Sequence, residues 1–209
     1  LPWNRGGFCL CLFFDIIKPM KGKKGFTLIE ILTVITIITF LSAIVFAQYK
    51  RGGSMFALQR SAHRLAQDLR ATQEMAMSAR NCGECVGSNH GKVPGTGYGI
   101  YINYSENTDY KRYADTSETE KMVYDVDDDV ISDLLLERGI VVKDIITIKD
   151  GIESEPLFAS INFSPPDPET TISSPIGEAN EIIIVLAIEK DPAQTRSVHI
   201  NEAGLIYIE

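Results

Sequence analysis

The sequence predicts an α+β fold, in which a long N-terminal helix is packed on a C-terminal antiparallel domain rich in β-strands. Residues 26–47 are almost wholly apolar, residues 48–80 continue with an amphipathic helical pattern, and residues 81–209 contain short apolar runs separated by turns. We therefore expect a leader at 1–25, a transmembrane helix at 26–47, an amphipathic helix at 48–80 and a globular domain at 81–209.

Charge is distributed unevenly along the 209 residues. Residues 1–51 contain seven Lys or Arg and two acidic residues, whereas residues 81–209 contain nine Lys or Arg and 24 Asp or Glu. Because phosphate contacts need clustered Lys and Arg, the acidic domain disfavours nucleic acid as a partner. The sequence also shows no nucleophile with its base, no phosphate-binding loop and no complete set of metal ligands. We expect no enzyme activity and no cofactor.

The first residues of the chain fit poorly with a functional element. The apolar run at 8–17 contains Asp15 and ends near Pro19, so it is too short to cross a membrane. We expect translation to start at Met20 and residues 1–19 to be spurious.

The apolar segment at 26–47 is long enough to span a bilayer. As a helix its 22 residues would extend about 33 Å. Lys21, Lys23 and Lys24 precede it, so by the positive-inside rule its leading end stays in the cytoplasm and the acidic domain is exported.

A carboxylate interrupts the apolar segment at Glu30, at a cost of about 2.5–3.5 kcal/mol on insertion scales. Glu30 belongs to a row of polar residues at every third position: Thr27, Glu30, Thr33, Thr36, Thr39 and Ser42. Either each hydroxyl bonds the backbone of its own helix, or the row is a surface on which another helix packs.

The residues around Gly25 resemble the processing motif of type IV prepilins. The resemblance is carried by Lys23-Lys24-Gly25-Phe26-Thr27-Leu28-Ile29-Glu30 and the apolar helix that follows. It implies that a prepilin peptidase cuts after Gly25 and that the new amine of Phe26 is N-methylated. It further implies assembly with other pilin or pseudopilin subunits by machinery in the inner membrane.

Simple electrostatics agrees with this resemblance, because a cut before Phe26 creates a cation that Glu30 of a neighbouring subunit could pair with inside an apolar bundle. The alternative is a secretory signal peptide cut after Val45-Phe46-Ala47. However, the apolar run is longer than the usual 7–15 residues and contains Glu30.

Cys82 and Cys85 form a CxxC motif in a Gly-rich stretch. Such a motif is a redox pair, half of a zinc site or a tight disulfide. No second pair completes a zinc site and no strand leads into the motif, so a disulfide is the prediction for an exported domain.

The globular domain contains several predicted strands. They are Tyr98–Asn103, Met122–Val126, Ile140–Ile148, Ser160–Phe163, Glu181–Ile188, Arg196–Ile200 and Leu205–Ile208. The run 182–187 predicts a central strand buried on both faces, and Asn201–Gly204 predicts a closing hairpin. Ile131–Arg138 is predicted to be a short helix that ends at Gly139, and 165–168 a rigid loop.

Two segments of this domain are similar to minor pseudopilins of the H type. They are Tyr98-Gly99-Ile100-Tyr101 and Val198-His199-Ile200-Asn201 with the following Gly204-Leu205-Ile206. Some members of that branch bind DNA through a basic C-terminal region. The tail at 204–209 has no such patch, so DNA binding is not expected here.

Asp125, Asp127 and Asp129 are candidate calcium ligands, at positions 1, 3 and 5 of a loop like that of an EF-hand. Val130 and Leu136 replace the Gly and Glu that this geometry needs at positions 6 and 12, so an acidic surface turn is the favoured interpretation.

These patterns predict a structural subunit of a type IV pilus or a type II secretion-like pseudopilus. It would cross the inner membrane once with its N-terminus in the cytoplasm and later reside in a periplasmic or cell-surface filament. The alternative is a membrane-anchored extracellular binding module, with or without bound calcium, that never polymerises.

Overall fold

The computed structural model describes residues 25–85, 90–116, 122–125, 127–165 and 169–209, apart from the side chains of 47–52. The expected leader up to residue 24, including the start at Met20, lies outside the described residues, as does most of the loop predicted at 165–168. The chain forms two compact units, Leu1–Ala47 and Gln48–Glu209.

A single helix, α1, runs from Leu28 to Met77. Its first part, Leu28–Phe46, has a mean hydropathy of 2.5 and is long and apolar enough to cross a membrane. The described part of the chain buries none of this segment, and side chains such as Leu28 and Phe40 are more than two-thirds exposed. The predicted apolar helix is therefore present, and the described residues bury none of its membrane-length part.

The second unit contains two antiparallel sheets, which together with α1 confirm the α+β fold class. The strands are β1 (Tyr98–Asn103), β2 (Asp109–Ala114), β3 (Asp129–Leu135), β4 (Ile140–Lys149), β5 (Ile152–Ser154), β6 (Phe158–Ser164), β7 (Glu169–Ser174), β8 (Gly177–Ala179), β9 (Glu181–Ile188), β10 (Asp191–Asn201) and β11 (Ile206–Ile208). One sheet has the order β3-β2-β1-β6-β7-β8 and the other has the order β11-β10-β9-β4-β5.

The second part of α1 packs against this domain through one stripe, as its amphipathic pattern predicts. The stripe residues Leu58, Ala62, Leu65, Leu69, Thr72 and Ala76 are at most 2% exposed, whereas Met55 at its start is 41% exposed. Leu58, Ala62, Leu65, Leu69 and Ala76 join one hydrophobic cluster with the inward side chains of both sheets. This burial, rather than local propensity, holds the second part of the helix in place.

Polar contacts fix the angle and register of this packing. The Tyr110 hydroxyl on β2 donates a hydrogen bond to the Asp68 carboxylate on α1, 2.6 Å away. The Arg112 guanidinium donates to the other Asp68 oxygen at 3.2 Å and to the Thr72 hydroxyl at 2.9 Å. At the surface, Arg60 forms a bidentate ion pair with Glu137, both bonds being 2.7 Å.

Two predicted elements of the domain are wrong. Residues 122–125, the described part of the predicted strand Met122–Val126, form a turn and an irregular segment. The predicted helix Ile131–Arg138 is instead mostly strand β3, which pairs with β2. The pairing skips Ile131 between Val130 and Ser132, so a bulge breaks the two-residue alternation and leaves apolar residues at helical spacing.

The remaining predicted strands are confirmed within a few residues, and Tyr98–Asn103 and Glu181–Ile188 match in full. β9 is central in its sheet, but it is fully buried on one face only. Ile182, Ile184 and Leu186 are inaccessible to solvent, whereas Ile183 and Val185 are only half-buried. The predicted hairpin closes with Gly204 at φ +75°, a conformation that favours glycine.

Candidate processing and assembly site

Residues 25–30 form the start of the apolar helix. Gly25, Phe26 and Thr27 precede the first helical residue, Leu28. Phe26 is 77% exposed, and a Cβ added to Gly25 would have no atom within 4 Å. The peptide bond between Gly25 and Phe26 is therefore unobstructed by the described residues.

Thr27 caps the helix. Its side-chain oxygen accepts a hydrogen bond from the backbone N–H of Glu30 at 3.3 Å, and its carbonyl accepts from the same N–H at 3.0 Å. Thr-Leu-Ile-Glu thus has the spacing of a capping box, with Thr at the N-cap and Glu at the third helical position. This spacing is visible in the sequence, whereas the capping role of Thr27 follows from the hydrogen bond in the structure.

Glu30 lies in the first turn of α1, where the positive end of the helix dipole stabilises a carboxylate. Its side chain is exposed, and no described residue forms an ion pair with it. Within a hydrocarbon environment such a charge needs a partner of opposite sign. The geometry therefore leaves the carboxylate available for contact with another chain.

The threonines of the polar row bond their own helix. The hydroxyl of Thr33 donates to the Glu30 carbonyl, that of Thr36 to the Leu32 carbonyl, and that of Thr39 to the Ile35 carbonyl, each at 2.8 Å. These three hydroxyls therefore bond the backbone of their own helix, which is the first of the two alternatives that the sequence left open. The row still offers small side chains and oxygen lone pairs along one ridge, which permit close helix approach.

Comparison with known families gives a match that falls on this site. Residues 20–46 match the prokaryotic N-terminal methylation motif. The matched segment contains Gly25, Phe26 and Glu30 and ends where the membrane-length part of the helix ends. Comparison with curated proteins and with solved structures finds no match. The chain therefore has a prepilin-type methylation motif followed by an apolar helix.

Cys82 and Cys85 are joined as a disulfide just beyond the end of α1. Both side chains are at most 3% exposed and belong to the hydrophobic cluster. The backbone of Cys82 exchanges hydrogen bonds with Lys92 and Gly91. The Tyr98 hydroxyl also donates to the Arg80 carbonyl at 2.6 Å. These contacts fasten the end of the helix to the first strand.

The three calcium candidates do not gather around one point. The Asp125 carboxylate accepts a hydrogen bond from the Asp127 N–H at 2.6 Å, and the Asp129 carboxylate accepts from the Thr116 hydroxyl at 3.1 Å. Among the described residues no three His, Cys, Asp or Glu side chains are placed to hold a metal ion together. A role for Asp125, Asp127 and Asp129 in calcium binding stays a prediction.

A second polar cluster, absent from the sequence analysis, lies on β9 to β11. The imidazole of His199 lies 3.2 Å from a Glu181 carboxylate oxygen through Nδ1 and 3.1 Å from the Ser197 hydroxyl through Nε2. It also stacks on the Tyr207 ring at 4.6 Å. Spacing along the chain could not reveal this cluster, because strand pairing creates it.

Ser197, His199 and Glu181 contact one another in the order of a hydrolase triad. Nε2 of His199 also lies 3.4 Å from the Glu209 carboxylate. The imidazole thus lies between the carboxylate of Glu181 and that of Glu209 and stacks on the Tyr207 ring. The cluster fits a structural role in joining the last strand to its sheet.

Proposed function

We propose that this chain is a subunit of a type IV pilin-like filament and acts through helix packing rather than catalysis. A prepilin peptidase cuts after Gly25 and N-methylates Phe26, and α1 serves first as membrane anchor and then as filament core. The observation that carries the proposal is the methylation motif at residues 20–46, placed on a helix whose apolar surface is wholly exposed.

A charge pair between subunits would set the axial position of one helix relative to the next during assembly. Cleavage creates a cation at Phe26, one residue before the helix cap at Thr27. The Glu30 carboxylate of a neighbouring subunit is its partner in an environment where an unpaired charge is strongly unfavourable. Because the pair forms only at one axial stagger of two helices, it selects that stagger over others.

The partners in this proposal are the peptidase, other pilin or pseudopilin subunits and the assembly machinery of the inner membrane. The N-terminus lies in the cytoplasm and the acidic domain outside, since Lys21, Lys23 and Lys24 precede the helix. The filament is a type IV pilus or a type II secretion-like pseudopilus. The acidic surface, with no basic C-terminal patch, disfavours DNA uptake.

Substitution at the cleavage position tests the proposal. We expect Gly25→Val to leave the leader attached when the full chain is expressed in a host with a prepilin peptidase. Because an added Cβ meets nothing at Gly25, a loss of cleavage reports on the peptidase and not on folding. Gly53→Val is a matched control, since Gly53 is equally open, and we expect it to be processed normally.

Two outcomes would contradict the proposal. Cleavage of Gly25→Val at the wild-type rate would place the processing site elsewhere, as the secretory alternative requires. Normal processing of the wild-type chain without any recovery in filaments, even when other pilin-like subunits are co-expressed, would favour the membrane-anchored binding module.

A further inference from the structure

An apolar pocket lies where the open edges of the two sheets meet. β8 is the last strand of one sheet and β5 is the last strand of the other. The cavity between them has a volume of about 240 Å³ and a mostly apolar surface. Ile152 and Ile176 line it and are 70% and 64% exposed. We call this cavity the edge pocket, and its other uncharged lining residues are Thr147, Ser154, Ser174, Gly177 and Ala179.

The volume of the edge pocket suits one apolar side chain. Pockets for small molecules usually measure about 300–1,000 Å³, whereas an apolar cavity of about 150 Å³ already holds benzene. A cavity of 240 Å³ therefore has room for a phenyl ring. Two large aliphatic side chains beside it are mostly in water, so covering them removes apolar surface from solvent and stabilises the covered state.

The chain itself exposes a phenyl ring on the second part of α1. Phe56 is 64% exposed, whereas Leu58, the first residue of the buried stripe, is 1% exposed. Two positions along a helix correspond to a rotation of about 200°, so Phe56 lies on the face turned away from the β domain. A ring in this orientation is available to another molecule.

Phe56 and the edge pocket lie at opposite ends of the same domain. Arg60, one turn after Phe56, pairs with Glu137, which precedes the first residue of β4 by three positions. β4 then runs for ten residues and ends with Lys149 at the edge pocket. A strand of that length extends about 33 Å. Phe56 is therefore unable to reach the edge pocket of its own chain.

The charges around the two surfaces are of opposite sign. Residues 53–67 of α1 contain two Arg and no Asp or Glu. Arg60 is paired with Glu137, and Arg64 has a side chain that is 55% exposed. Three charged residues line the edge pocket, and two of them are acidic: Asp150, Glu178 and Lys149. Such complementarity favours contact between the helix of one copy and the pocket of another, and it orients the two copies.

We propose that Phe56 of one copy inserts into the edge pocket of the next copy. This inference rests on the proposed filament function, because it names a contact between subunits. The two surfaces differ, so the contact is head-to-tail, and each added copy presents a new Phe56 or a new edge pocket. Head-to-tail contacts that do not close into a ring generate open helical filaments. The contact would join the globular domains outside the membrane.

Cross-linking of introduced cysteines tests this contact on the full chain in a host that assembles pilins. Phe56→Cys is combined with Ile176→Cys, and isolated filaments are treated with a short cross-linker that joins two thiols. Since the two positions are too far apart to be joined within one chain, every link connects two copies. We expect a ladder of dimers, trimers and larger multimers under denaturing conditions. Each single variant is expected to form nothing larger than a dimer.

Phe56→Cys with Leu205→Cys is the matched control. Leu205 is 57% exposed, a fraction close to that of Ile176, but it does not line the edge pocket. It belongs to the β10–β11 hairpin, whose Glu202 accepts a hydrogen bond from Asn180, directly after β8. Leu205 therefore lies at the same end of the domain, and we expect no ladder from this pair.

Charge substitution tests whether the contact contributes to assembly. Phe56→Asp and Ile176→Asp each place a carboxylate where apolar contact is proposed, and each is expected to lower filament yield at least about tenfold. Both positions are exposed, so we expect normal cleavage after Gly25 and an unchanged Tm. Phe56→Lys combined with Ile176→Asp creates an opposite-charge pair and is expected to recover filaments. Leu205→Asp should assemble as the wild type does.

The inference is overturned if wild-type filaments form but Phe56→Cys with Ile176→Cys gives no ladder. Links that stop at dimers, or that join position 56 to a different surface, also overturn it. In these cases cleavage after Gly25 and filament recovery are unaffected, so the proposed function stands. Absence of wild-type filaments would instead contradict the proposed function, and this inference with it.

Discussion

The side-chain oxygen of Thr27 lies 3.3 Å from the backbone nitrogen of Glu30. This contact involves only the backbone of Glu30, so the helix cap and the proposed charge pair use different groups of the same residue. The backbone of Glu30 takes part in starting the helix, whereas its carboxylate is exposed and lies where the proposed pair with Phe26 of another subunit would form. Substitutions can therefore remove one function and leave the other.

Glu30→Gln is predicted to block filament assembly without blocking cleavage. The amide keeps the size of the side chain and leaves the backbone N–H bonded to Thr27, but it removes the charge that pairs with the Phe26 amine. Breaking one side of a buried pair costs about 3–5 kcal/mol. We expect filament yield to fall at least tenfold in sheared-cell preparations, with processed subunit still present in the membrane.

Thr27→Ala is the matched control, because it removes the cap and keeps the carboxylate. Loss of an N-cap costs about 1 kcal/mol at one helix end, and filaments are expected to persist. Wild-type assembly by Glu30→Gln would show that the charge pair is not needed.

Asp68→Ala is predicted to loosen the second part of α1 from the β domain. The change removes the carboxylate that accepts from both Tyr110 and Arg112. It leaves the buried Tyr110 hydroxyl without its acceptor and the largely buried Arg112 guanidinium without its opposite charge, although Arg112 keeps its hydrogen bond to Thr72. We expect a loss of about 2–4 kcal/mol in the free energy of unfolding, measured by urea denaturation. Glu74→Ala, an exposed position on the same helix, should change it by no more than about 0.5 kcal/mol. Equal effects of the two substitutions would show that the Asp68 contacts contribute nothing.

Stability is predicted to fall at alkaline pH because of two tyrosines. Burial raises the pKa of the Tyr110 hydroxyl far above its usual range, and the hydrogen bond to Asp68 raises it further. Burial likewise raises the pKa of Tyr113. Both phenols stay protonated in the folded chain but ionise near pH 10 when unfolded, so their contribution is present below about pH 10 and is lost as pH rises above it.

Tyr110→Phe tests this dependence. The slope of the unfolding free energy against pH between about pH 9 and 11 should be shallower in the variant by up to about 1.4 kcal/mol per pH unit. An unchanged slope would mean that Tyr110 ionises equally in both states.

Reduction of the Cys82–Cys85 disulfide is predicted to destabilise the domain modestly. The loop between the two cysteines is short, so the cross-link restricts the unfolded chain by only about 2 kcal/mol. A reducing agent should lower the unfolding free energy of the wild type by that amount and leave the Cys82→Ala/Cys85→Ala variant unchanged. Free thiols detected by alkylation of the mature, unreduced protein would show that the bond does not form.

The sequence predicts the structure correctly where one residue pattern dominates. The 26–47 segment, the buried stripe beginning at Leu58 and the apolar run of β9 follow helical or strand periodicity, and the structure has each of them. Gly204 also marks its turn, because few other residues adopt its positive φ. These elements are fixed by local chemistry.

The sequence does not predict strands that form because they pair with a neighbouring strand. β7, Glu169–Ser174, is mostly polar, and it is a strand because its backbone pairs with β6 on one side. β3 was predicted to be a helix because its bulge gives helical spacing. Asp115 contacts Asn162 of β6, which lies 47 positions later in the sequence, so no local spacing indicates this contact.

The most direct measurement is the intact mass and N-terminal residue of the protein purified from the membrane of a host that processes its own prepilins. We predict a chain that begins at Phe26 and carries one methyl group on its amine. A chain that begins at Gln48, or one that retains Gly25, would contradict prepilin processing and with it the role proposed for Glu30.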